Sequence, residues 1–238
     1  MGDFNRYGST SLFAYTAKIV RCLMIYLYVM KKSVRKQLLQ HFEGVAELQS
    51  QYLRLDSKLT KVTNCYNFHC KKKCGKCCLG SAENKEATVF EMLPMAIDLL
   101  DRGLADEKLK MLLETADCSK IMCVNYANDD ESLGYGHCTQ YALRPFVCRL
   151  FGESLYHVKG DKLEMTGCLW LKESFNSNPN KVELLKHLPV MGDTVLRGRE
   201  LSELDLLEIK DINSALRDAL ELVCVKYDLL NGKMENED

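Results

Sequence analysis

Phe68-His69-Cys70-Lys71-Lys72-Lys73-Cys74-Gly75-Lys76-Cys77-Cys78 places four thiols in nine residues, spaced C-x3-C-x2-C-C, with a glycine directly after the second cysteine. Thiolates this close repel one another and oxidise readily, so a central cation is the natural reason for the pattern. Gly75 is expected to supply a tight backbone turn that folds neighbouring sulfurs around one ion. Lys71, Lys72, Lys73 and Lys76 lower nearby thiol pKa values and offset the negative charge of a thiolate-bound metal. Cys77 and Cys78 are adjacent. Because successive side chains diverge, that pair points to two metals or a cluster rather than to one mononuclear ion.

The rest of the chain narrows what such a site can serve. Twelve cysteines in 238 residues exceed ordinary core use, and they fit either a disulfide framework or metal ligands in a reducing compartment. The only export-like segment is the apolar run from Cys22 to Met30. It has no A-x-A-like cleavage site and is followed at once by Lys31-Lys32-Ser33-Val34-Arg35-Lys36, the wrong flank for a signal peptide. It is also about half the length of a spanning helix. The reading is cytoplasmic, reduced and metal-bound, with no membrane partner. Lys+Arg number 32 against Asp+Glu 33, a net charge of −1, which gives no case for nucleic acid. The 47% hydrophobic content marks a globular chain.

Four regions are expected. Residues 1–29 read as a leader or non-native N-terminal extension, since Met30-Lys31-Lys32-Ser33 resembles a start of its own. Residues 30–64 form a helical arm. Val34, Leu38, Phe42, Val45, Leu48, Tyr52 and Leu55 recur every three or four residues, which predicts one amphipathic helix from Ser33 to about Lys61. Residues 65–170 are the cysteine-cluster domain, and 171–238 a helical region packing on it. Within these, Thr88-Val89-Phe90-Glu91 is a capping box opening a helix toward Asp101 and Gly103, with Pro94 expected to kink it or delay its start. A second helix spans Asp106 to about Ala116. Asn128 to Glu131 reads as an acidic loop, and 153–168 as a hairpin turned by Lys159-Gly160-Asp161. Ser202 to about Leu230 reads as a long helix with one break near Asn213, followed by a solvated tail from Asn231. The fold class is mainly α with a small β-hairpin, a cysteine-rich core stapled by metal and flanked by long helices.

The second informative stretch is Gly136-His137-Cys138-Thr139-Gln140-Tyr141-Ala142-Leu143-Arg144-Pro145-Phe146-Val147-Cys148-Arg149. Pro145 biases Arg144 toward an extended conformation, so Cys138 and Cys148 are expected on a turn-like connection. Arg144 and Arg149 are candidates to donate hydrogen bonds to thiolates or sulfides, or else to pair with the acidic loop. Tyr141 either gives its hydroxyl to the site or packs. Cys65 and Cys118 are close neighbours that could substitute as ligands. Cys22 and Cys224 sit in apolar runs and read as packing residues. His69 and His137 adjoin candidate ligands and read as outer neighbours or solvent-facing groups.

Together these stretches resemble the CxxCxxCC zinc- or iron-chelating family, the YkgJ-like cysteine-cluster proteins. Phe68-x-Cys70…Cys74-Gly75-x-Cys77-Cys78 matches the family's first motif. Cys138-x2-Tyr141-x2-Arg144-Pro145-x2-Cys148-Arg149 matches its second at every marked position. The resemblance implies Cys123 as the intermediate cysteine and Cys168 as the last. The implied ligand set is then Cys70, Cys74, Cys77, Cys78, Cys123, Cys138, Cys148 and Cys168. One departure stands out, because three residues separate Cys70 from Cys74 where the family usually has two. All-thiolate ligation suits zinc and a 4Fe-4S iron–sulfur cluster alike, and the family's habit leans toward iron–sulfur.

Three functions follow. The first is a metal-binding protein with a redox or metal-handling role and an unknown protein or redox partner. The second is a cluster-dependent protein-modifying enzyme such as a lysine N-methylase-like methyltransferase, by weak analogy. The third is a structural zinc module presenting its long helices to a partner. No P-loop, G-x-G-x-x-G, H-E-x-x-H or G-x-S-x-G motif offers another chemistry. The C-x3-C-x2-C of Cys70, Cys74 and Cys77 matches the radical-SAM spacing by coincidence, with no barrel pattern behind it.

Overall fold

The computed structural model describes residues 35–70, 74–130, 135–160, 162–201 and 206–232. The expected leader, Cys22, Ser33, Val34, Lys71 to Lys73, Glu131, Asp161 and the tail beyond residue 232 lie outside the described residues. Helices separated by short antiparallel strand pairs make the fold mainly α, as the periodicity predicts.

The single helix expected over 33–61 is broken in two, α1 (35–41) and α2 (Val45–Cys65), and the second runs past Lys61. Gly44 makes the break. Its φ of 78° is left-handed, which side chains resist, and a Cβ there would stand 2.2 Å from the Leu201 carbonyl oxygen. The apolar stripe survives the break, because Leu38, Phe42, Val45, Leu48, Tyr52 and Leu55 are all buried.

The short α3 (Lys76–Leu79) follows, then β1 (Glu86–Thr88) and α4 (Val89–Asp101). The capping box is formed as read. The Thr88 hydroxyl accepts the Glu91 amide at 3.2 Å, and Glu91 Oε2 accepts the Thr88 amide at 2.9 Å. Pro94 neither delays α4 nor ends it. It lacks one amide and so one rung of the helix ladder, but Val89 to Ile97 are all buried, and their packing holds the helix through that gap.

The second helix is α5 (Ala105–Glu114). The region expected to be an acidic loop is instead the first arm of a hairpin, β2 (Tyr126–Asp130), paired with β3 (Tyr135–Cys138). The chain continues with α6 (Phe146–Leu150) and the foreseen hairpin β4 (Leu155–His157) with β5 (Leu163–Met165). Beyond it lie α7 (Leu169–Asn176), α8 (Lys181–His187) and α9 (Met191–Arg199), short helices inside the region expected to be helical from residue 171, though without individually predicted bounds.

The long C-terminal helix starts later than its periodicity implies. β6 (Ile209–Asp211) pairs antiparallel with β1, and only then does α10 (Ile212–Leu230) begin. Asp211 caps it, accepting the Asn213 and Ser214 amides at 3.0 Å each. A side-chain oxygen there satisfies amides that have no partner inside the helix.

Two hydrophobic clusters result. The larger packs α10 on α4, with α2 and α5 alongside, around Phe90, Leu93, Ile97, Leu216 and Leu220. The smaller gathers Phe68, Leu155, Met165, Leu171, Phe175, Leu184 and Leu188 from the end of α2, the β4–β5 hairpin, α7, α8 and its C-terminal flank. Among the described residues no helix is long and apolar enough to cross a membrane.

Candidate metal centre

The two cysteine motifs lie far apart in sequence and meet through backbone. Cys74 forms an antiparallel bridge with Tyr135, the first residue of β3, and β3 ends on Cys138. Gly75 sits against Gly136, since a Cβ on Gly75 would lie 3.1 Å from the Gly136 carbonyl oxygen and 2.3 Å from Cε2 of Tyr126. Gly75 has an ordinary φ of −94°. The expected tight turn is present, the Gly75 carbonyl accepting the Cys78 amide at 2.8 Å, and the glycine is needed there for close approach and not for a left-handed backbone.

Each thiol is delivered by a recognisable local element. Cys77 and Cys78 occupy α3, with sulfurs 3.9 Å apart. Cys123 lies on the loop before β2, pinned from α10 by the buried Asn213. That side chain accepts the Val124 amide at 3.1 Å and donates to the carbonyls of Cys118 at 2.8 Å and Met122 at 3.1 Å. Arg144 is extended before Pro145, as proline requires. Cys148 falls within the short α6 rather than on a turn. Cys168 is the N-terminal flank of α7.

Cys78 and Cys148 pack against the larger hydrophobic cluster, in which Cys123 is buried, whereas Cys168 packs against the smaller one. The thiols therefore line the seam between the two. Their mutual influence follows the same division. Burial, then the neighbouring Cys74, Cys77 and Cys168, push the Cys70 thiol up to about 11. The hydrogen bond to Cys77, then burial, then the charges of Cys77, Cys123 and Cys148, push Cys78 far up. Burial leads at Cys148 as well, with Cys123 and Cys138 adding to it.

Cys77 goes the other way, to about 6, through the hydrogen bond from Cys78 and the nearby Arg144 and Lys85, which outweigh burial. Cys77 faces cations, whereas Cys78 lies among thiols. Two backbone amides also point at sulfur: Asn125 donates to Cys123 and Gln140 to Cys138, each two residues on. Amides aimed at sulfur favour the thiolate form that binds metal.

The two arginines of the second motif have different places. Arg144 lies beside the sulfurs, favouring the thiolates of Cys77, Cys138 and Cys148. It is steadied by the Tyr141 carbonyl at 2.9 Å and by the Tyr141 ring, 3.5 Å below its guanidinium carbon. Tyr141 itself is 63% exposed and thus serves as a platform. Arg149 is fully buried and directed elsewhere. It donates to Asp56 on α2 and to the carbonyls of Arg144 and Ala142, and it stacks 4.2 Å over Tyr52. It braces α6 against α2 rather than reaching sulfur or the acidic hairpin.

The remaining candidates sit apart. Cys118 is buried with its sulfur 3.4 Å from the Ser214 hydroxyl, Cys65 is exposed at the end of α2, and Cys224 packs partly against the larger cluster. His69 is exposed, and His137 pairs with Asp129 at 2.9 Å on the surface.

Sequence reading missed Tyr126. Its side chain underlies both Gly75 and Gly136, and in the β2–β3 register it stands opposite Cys138. The signal that could have found it was a glycine two residues before a ligand cysteine, which invites a bulky neighbour.

Among the described residues no three donor side chains close around one point as they would around an ion. The donor chemistry fits a soft metal nonetheless: thiols in quantity, amides aimed at sulfur and an arginine beside them. Cys70, Cys74, Cys77, Cys78, Cys123, Cys138, Cys148 and Cys168 are the thiols that the two motifs and their neighbours offer to one.

Fold and site together define a helical protein that converges two cysteine motifs on one seam. The family model described as CxxCxxCC, putative zinc- or iron-chelating domain, matches residues 69–180. No curated protein and no solved structure matches the chain.

Proposed function

We propose that this chain binds a thiolate-ligated metal, zinc or an iron–sulfur cluster, and acts in metal handling or redox exchange in the reducing cytoplasm. The observation that carries this reading is the direct packing of the first motif on the second at Gly75 and Gly136, bridged by Cys74 and Tyr135. Such convergence supports a metal shared by donors from both motifs. Exposure supports handling over a sealed structural site. Cys70 and Cys77 are exposed, whereas thiolates that merely staple a fold gain from exclusion of solvent and competitors. All eleven described cysteines are free, which accords with a reducing compartment. When bound, the metal supplies charge compensation for the thiolates and, if it is an iron–sulfur cluster, a one-electron couple. Arg144 favours the thiolate form of the sulfurs around it, and Arg149 keeps α6, which carries Cys148, braced on α2.

Anaerobic purification with elemental analysis for iron, zinc and sulfide tests the reading. Iron with matching sulfide and a broad visible band favours the cluster, and zinc in a colourless protein favours zinc handling. Cys77→Ser and Cys148→Ser are each expected to lower metal content by half or more, while Cys224→Ser leaves it unchanged. Equal metal in all three variants overturns the proposal.

A further inference from the structure

Tyr126 begins β2 and faces Cys138 across the hairpin. Residues directly opposite in an antiparallel pair project on the same face, and a long side chain also reaches the diagonal neighbour. Here that neighbour is Gly136. A Cβ built on Gly136 would stand 2.3 Å from the Tyr126 hydroxyl, so the phenol tip lies against the backbone where the two motifs touch. The same ring passes under Gly75, the residue after Cys74. The hydroxyl oxygen is buried and has no hydrogen-bond partner among the described residues. A phenol hydroxyl out of water normally finds one, and leaving it without is costly. Cysteines from both motifs surround this point in sequence and register, and an anionic metal-bound sulfur is a strong acceptor.

We propose that the Tyr126 hydroxyl donates its hydrogen bond to a sulfur of the metal-loaded centre, making it a positioning residue of that site that binding completes. The inference rests on the metal-binding reading above. Without metal the hydroxyl lacks this acceptor, and burying it costs stability. In the loaded chain it steadies a thiolate and lowers the charge that the ligand set concentrates. The requirement for glycine at positions 75 and 136 has the same origin, because a side chain at either would displace the ring.

The test compares the full-length reduced protein with Tyr126→Phe, using zinc(II) as the probe under anaerobic conditions. Affinity is read by competition with a chromophoric chelator, and stability by thermal melting of the metal-free form. The variant is expected to bind zinc about tenfold or more weakly, the scale of one hydrogen bond to a charged acceptor. Its metal-free melting temperature should be equal to or higher than that of the parent. Zinc loading should also perturb tyrosine absorbance in the parent and do so less in the variant. Unchanged zinc affinity overturns the inference alone, as does a fall in metal-free melting temperature, which would mean that the hydroxyl already has a partner without metal. If the parent chain binds no zinc and carries no iron, the metal-binding reading itself fails.

Discussion

At the scale of single residues, the site separates groups that look equivalent in sequence. Cys77 and Cys78 are neighbours in α3, yet Arg144 and Lys85 face the first, and Cys123 and Cys148 face the second. The Cys77 thiol is thereby brought to about 6 and Cys78 pushed far above the usual range. Burial with Asp106 and Asp228 nearby raises the remote Cys224 to about 11. The sign gives an order of reactivity in metal-free protein. A lowered thiol is thiolate above its pKa and reacts there, and a raised one stays protonated. At pH 7 iodoacetamide should modify Cys77 well before Cys224, with the Cys77 rate falling as pH drops through about 6. Cys78→Ala removes the largest cause of the shift and should move that midpoint upward. Peptide mapping that finds Cys224 labelled first, or an unmoved midpoint, would refute this assignment. Arg144 and Arg149 diverge in the same way. Motif position alone left both as candidate partners of sulfur, and only the tertiary placement of Asp56 and Tyr52 directs Arg149 inward.

At the scale of elements, legibility followed how local the physics was. The capping box at Thr88 and Glu91 and the β4–β5 hairpin depend on residues close in sequence, and both formed where expected. The β2 strand was read as loop because Asn128, Asp129 and Asp130 are poor strand formers. Its pairing with β3 is what the sequence pattern did not reveal. The break between α1 and α2 is a third case. Gly44 was visible, but an apolar stripe continuing across it argued for one helix, and the Leu201 carbonyl that demands the glycine lies more than 150 residues further along the chain. Gly44→Ala would combine a left-handed φ with a 2.2 Å approach to that carbonyl oxygen. It should destabilise the protein by about 2 kcal/mol, visible as a lower urea midpoint. Zinc content per folded molecule should be unchanged, since the residue Gly44 packs against is Leu201 and not a cysteine. A midpoint equal to the parent's would mean that the kink tolerates a side chain.

At the scale of the whole molecule, the cysteines lie beside two hydrophobic clusters of unequal size. The larger has thirty buried residues among those described, the smaller seven. Burial of apolar surface scales with what is packed, so the α4–α10 core is stable by itself to a degree that the smaller cluster is not. The smaller cluster is tied on by the end of α2, where Phe68 meets Phe175 edge-on at 6.1 Å and the Tyr66 carbonyl accepts Asn178 at 3.0 Å. Cys168 packs against it, and the Cys70 thiol lies near enough to feel the Cys168 charge. Metal bound across the seam would couple the two units, because ligation energy is folding energy for whatever the ligands hold in place. Chelation under reducing conditions should then act unevenly. Amide hydrogen exchange should rise first in β4, β5, α7 and α8, with α4 and α10 keeping their protection. A uniform rise across all of these elements would mean that the clusters fold as one unit, and no change anywhere would mean that the metal does not join them.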